Sequence, residues 1–166
     1  MGKNLVSIKS TETAIYFIQA VLSILLLAAL CVFIMAQVIY RYVFNDPLFW
    51  TEELSRFLFV WLTFIGFGVA VHRKQEMRVA FFADMFSPRI RQWVSVISYI
   101  LILTTCATVA FRGYLFALES YDVLSVAIEL PWMWIFMAVP IGFGLVFVQY
   151  TLRLYSEILI IKGAKS

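Results

Sequence analysis

Residues 14–40 read AIYFIQAVLSILLLAALCVFIMAQVIY, from Ala14 to Tyr40, without a single Asp, Glu, Lys, Arg or His. As a helix this run is about 40 Å long at 1.5 Å per residue, more than the ~30 Å of hydrocarbon in a bilayer. It reads as a membrane-spanning helix that tilts or protrudes. Three more apolar stretches follow it, Leu54–Val71, Trp93–Leu118 and Trp132–Tyr150. Of the 166 residues, 63% are hydrophobic, and the mean hydropathy is +0.93. That is too apolar for a soluble domain. The expected fold is an all-α, integral membrane four-helix protein. It forms one membrane domain with helices at about 12–42, 50–72, 89–118 and 131–160. Little chain remains for a soluble catalytic domain, so no enzymatic activity is expected.

The net charge of +3 bears on orientation rather than on nucleic acid. Lys and Arg stay preferentially on the cytoplasmic side of a membrane. Lys3 and Lys9 precede the first span, and Arg73, Lys74, Arg78, Arg89 and Arg91 fill the second loop. Arg153, Lys162 and Lys165 follow the fourth span. On the other side only Arg41 and Arg56 flank the first loop, and the third loop, Glu119–Pro131, has no Lys or Arg. Both termini are therefore expected to be cytoplasmic. The N-terminal apolar run is too long for a cleavable signal peptide, and no small-residue cleavage site follows it.

Local signals place the helix ends. Ser10 or Thr11 with Glu12 suits a helix start. Tyr40, Arg41 and Tyr42 form an interfacial anchor. In Asn45-Asp46-Pro47, Asp46 suits an N-cap and Pro47 a first helical position. Ser87-Pro88 repeats that signal, and Pro131 opens the fourth span beside Trp132 and Trp134. Pro140 removes a backbone donor and should kink the fourth helix. In the second loop Val79, Phe82, Ala83 and Phe86 follow helical spacing, with Phe81 and Met85 off the stripe. The pattern admits a short helix along the inner interface.

The candidate functional groups sit near the outer membrane edge. Glu52 and Glu53 lie four and three positions before Arg56, the spacing of helical charge pairs. They form a local pair that lets Arg56 sit at the membrane edge, or lock to a partner helix or a second subunit, and the two readings are compatible. Arg112 either snorkels to the outer boundary or forms a salt bridge to a carboxylate, with Glu52 or Glu53 as candidates, within or between subunits. Gly66 with Ala70, and Ala138 with Gly142, are small-residue pairs that let helix backbones approach. Gln19, Gln37, Thr63, Thr104 and Thr105 are candidates for bonds across helices. His72 reads as a surface histidine, and Cys31 and Cys106 as small buried hydrophobes. One histidine does not supply bis-histidine haem ligation, and no CxxC spacing points to a metal, so neither cofactor nor metal is expected.

No GxxxxGK[ST] phosphate loop is present. No acid or base lies mid-span, where a proton-coupled exchanger needs one. No pair of spans is broken symmetrically, as at many transport sites. The polar inventory suits a helical scaffold better than a transport pathway.

Arg41-Tyr42-Val43-Phe44-Asn45, Pro47-Leu48 and Trp50-Thr51-Glu52-Glu53-Leu54-Ser55-Arg56 together resemble the signature of a known family. It is the small membrane subunit of tripartite ATP-independent periplasmic (TRAP) transporters, the DctQ-like family. The resemblance continues through Trp61 and Gly66, Met77-Arg78-Val79, Pro88-Arg89, Glu129-Leu130-Pro131-Trp132-Met133-Trp134 and Pro140-Ile141-Gly142. Ala80 departs from it, because many members carry an aspartate there.

The resemblance implies a non-catalytic scaffold in a bacterial inner membrane, surrounded by lipid. Its partners would be a large membrane subunit, which carries the substrate and sodium sites, and a periplasmic substrate-binding protein. The substrate would be an organic acid of the C4-dicarboxylate or sialic acid type. The chain stops after Lys162-Gly163-Ala164-Lys165-Ser166, which implies a separate polypeptide rather than a fusion. Arg41, Trp50, Glu52, Glu53 and Arg56 would then set helix packing and subunit contact. Two other readings are a self-contained four-helix homodimeric exchanger and the membrane anchor of a redox complex.

Overall fold

The computed structural model describes the backbone of residues 2–83 and 88–163, and side chains for residues 10–72 and 96–156. Among the described residues five helical segments make four apolar spans: α1 (Gly2–Tyr42), α2 (Phe49–Ala83), α3 (Pro88–Glu119), α4 (Met133–Phe136) and α5 (Ala138–Gly163). The segments long and apolar enough to cross a membrane are Ser10–Tyr42, Phe49–His72, Val96–Glu119 and Met133–Ser156. Lipid offers no partner for a free N–H or C=O, so a spanning segment must close its own hydrogen bonds as a helix.

α1 has neither Gly nor Pro between Lys3 and Tyr42 and is unbroken. It begins at Gly2, well before the Ser10–Glu12 signal read as its start. It ends where Asn45 takes a left-handed φ of 55°. The Asp46 amide then reaches back to the Tyr40 carbonyl at 3.2 Å. Asn tolerates this conformation better than most side chains. Asp46 and Pro47 do not open the next helix, as their types suggested. α2 begins at Phe49, and Thr51 donates from Oγ1 (2.7 Å) and from its amide (3.2 Å) to the Leu48 carbonyl.

α2 continues past His72 to Ala83. Val79, Phe82 and Ala83, read as part of a separate interfacial helix, thus extend α2, while Met85 and Phe86 lie outside the described residues. α3 starts at Pro88 as expected. The fourth span is divided. Pro131 pairs in an isolated bridge with Leu124 rather than opening a helix, and Met137 separates α4 from α5. Pro140 has no N–H to give the Phe136 carbonyl four positions back, so the interruption falls one turn before the proline.

Neighbouring helices follow the order α1, α2, α5, α3, with α1 and α3 on the two flanks. α2 and α5 run in the same direction, because Phe64 meets Gly142 and His72 meets Arg153 further along both. Gly142 lets them touch. A Cβ there would lie 2.8 Å from both the Cβ and the carbonyl oxygen of Phe64. Of the two small-residue pairs, Ala138 and Gly142 are both buried, and Gly142 meets α2. Gly66 only faces Ser23 Oγ at an ordinary 3.8 Å, and Ala70 is exposed.

The buried core is small. Cys106, Val146 and Tyr150 pack with Val71, Tyr99, Ile102, Leu103 and Phe143 where α2, α3 and α5 meet. Most large apolar side chains face outward, including Ile24, Leu25 and Val32 on α1. Cys31 is also exposed there, contrary to its reading as a buried hydrophobe. An apolar exterior suits hydrocarbon surroundings.

Candidate functional site: a carboxylate clamp at the outer end

The first turn of α2 presents two carboxylates in opposite senses. Glu52 turns outward and pairs with Arg56 one turn on, at 3.6 Å, both side chains more than half exposed. A pair this exposed contributes little to stability. It gives Arg56 a local counter-charge. Glu53 turns instead toward the connection between α3 and α4.

That connection is built to receive it. The Ser125 amide donates to the Leu130 carbonyl at 2.9 Å, and the Trp132 amide to the Val123 carbonyl at 2.9 Å. Glu129 takes a left-handed φ of 57°, and its amide donates to the Ser125 carbonyl at 3.2 Å. This tight return turns three successive amides the same way. Val126 N donates to Glu53 Oε1 at 2.9 Å, while Ala127 N (2.8 Å) and Ile128 N (2.9 Å) donate to Oε2. Ser125 Oγ adds a fourth donor to Oε2 at 2.8 Å. Consecutive N–H groups of this kind form an anion-binding nest. Here the anion is a side chain of the same protein. Hydrogen bonds to an ionised acceptor are the strong ones.

Below the clamp, Trp61 Nε1 donates to the Trp134 carbonyl at 3.1 Å, tying α2 to α4. Trp50 meets Phe33 of α1 edge-on, with ring centroids 6.2 Å apart. Arg41 points outward and lies over the neighbouring Tyr42 ring. Arg112 is exposed on α3. It does not pair with Glu52 or Glu53, whose partners are Arg56 and the loop.

A second polar cluster lies at the other end of the bundle. Arg153 of α5 approaches Glu12 of α1 at 3.8 Å and His72 Nδ1 of α2 at 2.6 Å. An arginine has only donors, so this contact requires His72 Nδ1 to be the accepting nitrogen. Tyr16 stacks on the His72 ring at 4.5 Å. His72 is thus half-buried rather than a plain surface residue. Between the clusters, buried Gln149 Nε2 donates to buried Gln19 Oε1, joining α5 to α1.

Of the polar residues proposed to bond across helices, Gln19 does so. Thr63, Thr104 and Thr105 instead donate to their own helices, at Phe59, Ile100 and Leu101. Sequence reasoning missed Ser125, the three loop amides, and the partnership of Glu12 with Arg153. Only the buried depth of Gln149 within an apolar run hinted at its role.

Comparison with known proteins adds a decisive observation. Residues 30–159 match the family model described as tripartite ATP-independent periplasmic transporters, DctQ component. The chain belongs to this family. It is similar to the sialic acid TRAP transporter small permease protein SiaQ of Vibrio cholerae, at 27% identity over 76% of this chain and 74% of that one. It is also similar to the ectoine TRAP transporter small permease protein TeaB of Halomonas elongata, at 24% identity over 84% of this chain and 73% of that one. A third relative is the isethionate TRAP transporter permease protein DctMQ of Oleidesulfovibrio alaskensis, 29% identical over 69% of this chain. The match covers 18% of that relative's length, so the same module stands there within a far longer permease polypeptide. This DctQ-family chain is a small permease subunit paired with a large permease. It is a multi-pass inner-membrane transport component and not an enzyme.

Proposed function

We propose that this DctQ subunit is the non-catalytic scaffold of a sodium-coupled TRAP transporter for an organic acid, taken up with the help of a periplasmic substrate-binding protein. One observation carries the scaffold reading. Several polar groups buried or half-buried between the described spans have their partners on another helix or loop of the same chain. Glu53 serves the outer loop, Gln149 serves Gln19, and Arg153 serves Glu12 and His72. Groups spent in fixed helix-to-helix locks brace a bundle. A transport pathway needs groups that exchange partners.

The distribution of Lys and Arg supports both termini in the cytoplasm, with the Glu53 clamp facing the periplasm. The clamp would give the outer loop one shape against the large subunit or the capture protein. Sialic acid and isethionate are organic acids that similar proteins are named for, and ectoine stands beside them in another. Substrate choice therefore belongs to the partners, and an acidic solute is the class favoured here.

The test is uptake into liposomes of defined composition. No uptake is expected from this chain alone. Uptake is expected when the large subunit, the capture protein and an inward sodium gradient are all present. Uptake by this chain alone would overturn the scaffold reading, and equal uptake with potassium replacing sodium would overturn sodium coupling.

A further inference from the structure

The two flanking helices offer very different outward faces. On α1, every exposed side chain between Ala14 and Tyr40 is apolar or tyrosine. That face asks for nothing but acyl chains. On α3 the inward face is Cys106, Gly113 and Ala117, packed toward the α4–α5 side. Its outward face carries Thr104, Thr108 and Arg112 at successive four-residue steps, all exposed. The threonines donate to the Ile100 and Thr104 carbonyls, at 2.9 Å and 2.8 Å, and keep their hydroxyl oxygens as acceptors. Arg112 is in a different position.

Arg112 stands seven residues before the end of α3 at Glu119, so its Cα is about 10 Å down the helix from that end. The next residue, Gly113, is level with Val139 and Pro140, inside the fourth span; a Cβ on it would lie 3.0 Å from Val139 Cγ1. No Asp or Glu lies within four positions of Arg112 on either side. Arg56 provides the contrast. It sits as deep from the start of α2, is equally outward-facing, and brings its own Glu52. A charge at this depth normally faces protein or water and has a counter-group.

We propose that the Thr104–Thr108–Arg112 face of α3 is the docking face for the large permease, where Arg112 receives a carboxylate from a membrane helix of that partner. The inference rests on the pairing with a large permease. It adds which flank is used and the chemistry of the contact. Charge complementarity selects the occupant, because an uncompensated guanidinium at this depth needs an anion that an apolar helix does not supply. In the DctMQ relative the matching module is under a fifth of one long permease polypeptide, so a module of this kind is joined there to a far longer permease chain.

The experiment co-expresses this chain with the large subunit of the same transporter. A photo-reactive phenylalanine replaces Thr108 on α3 in one variant and Leu25 on α1 in another, with Arg112 intact in both. A covalent adduct with the large subunit is expected from position 108 and not from position 25. In parallel, Arg112→Glu should lower the large subunit recovered in mild detergent by about tenfold, with Arg112→Lys retaining most of it. Adducts from position 25 alone, or only lipid adducts from position 108, would overturn the docking face, as would full recovery with Arg112→Glu. If the unaltered chain retains no large subunit at all, the pairing itself fails, and the docking face with it.

Discussion

Glu53 on α2 and Ser125 in the outer loop are 72 positions apart, and Ser125 Oγ donates to Glu53 Oε2 at 2.8 Å. With three amides of the same loop, this bond fastens the α3–α4 connection to the start of α2. The two halves of the chain are therefore pinned at the outer end by a single carboxylate.

Glu53→Gln keeps the shape of the side chain but turns one acceptor oxygen into an NH₂ group facing N–H donors. The loop should then loosen. Hydrogen exchange at the amides of Val126, Ala127 and Ile128 should accelerate, while amides in the middle of α3 exchange as before. Ser125→Ala removes one donor of four and should have the smaller effect. Unchanged exchange at all three amides in Glu53→Gln would show that the clamp does not hold the loop.

Gly142→Leu forces side-chain atoms into the Phe64 backbone, where even a Cβ would lie 2.8 Å from the carbonyl oxygen. The expected cost is ~1–3 kcal/mol, seen as a lower unfolding temperature in detergent. Gly144 supplies the control, since a Cβ there would meet nothing within 4 Å. Gly144→Ala should leave stability unchanged or raise it slightly, because alanine loses less entropy in a helix. Equal losses at both positions would mean that close approach of α2 and α5 is not the reason.

Gln19 and Gln149 should be coupled. Either Gln→Leu change alone leaves the other amide buried without its partner. The double variant removes both needs together. A double-mutant cycle on thermal stability should give an interaction of about 0.6–1.7 kcal/mol, the range for polar contacts between membrane helices. Purely additive effects would sever the pair. Gly68→Ala should disturb the same contact, since its Cβ would run into the Gln19 amide.

At the inner cluster, Arg153→Met removes the guanidinium that faces the Glu12 carboxylate between helices. Both side chains are about one-sixth exposed in the native pair, 16% and 15%. The loss should be about 3 kcal/mol, as for half of a largely buried ion pair. His72→Phe keeps a ring on Tyr16, removes both ring nitrogens and leaves Arg153 beside Glu12, so it should cost less. Thermal unfolding of the two variants side by side checks the order, and a larger loss in His72→Phe would reverse the assignment of Arg153 as the hub.

The sequence by itself determined the number of spans and their order. Hydrophobic length is a one-dimensional property, and lipid allows an apolar run of that length only one backbone conformation. The Glu52–Arg56 pair was legible for the same reason, since both ends lie on one helical turn. Tertiary structure alone decided the rest. The partners of Glu53 are mostly backbone amides, and an amide has no signature in the sequence; they converge only after Glu129 adopts its left-handed turn. Gly142 and Gly66 looked alike as small residues, but only the approach of α2 to α5 gives the first a backbone to touch. Arg112 looked like a snorkelling charge or half of a pair within or between subunits. Its exposure on a flank became informative only once both candidate carboxylates were found engaged elsewhere, because the cost of a charge in a membrane depends on what surrounds it in three dimensions.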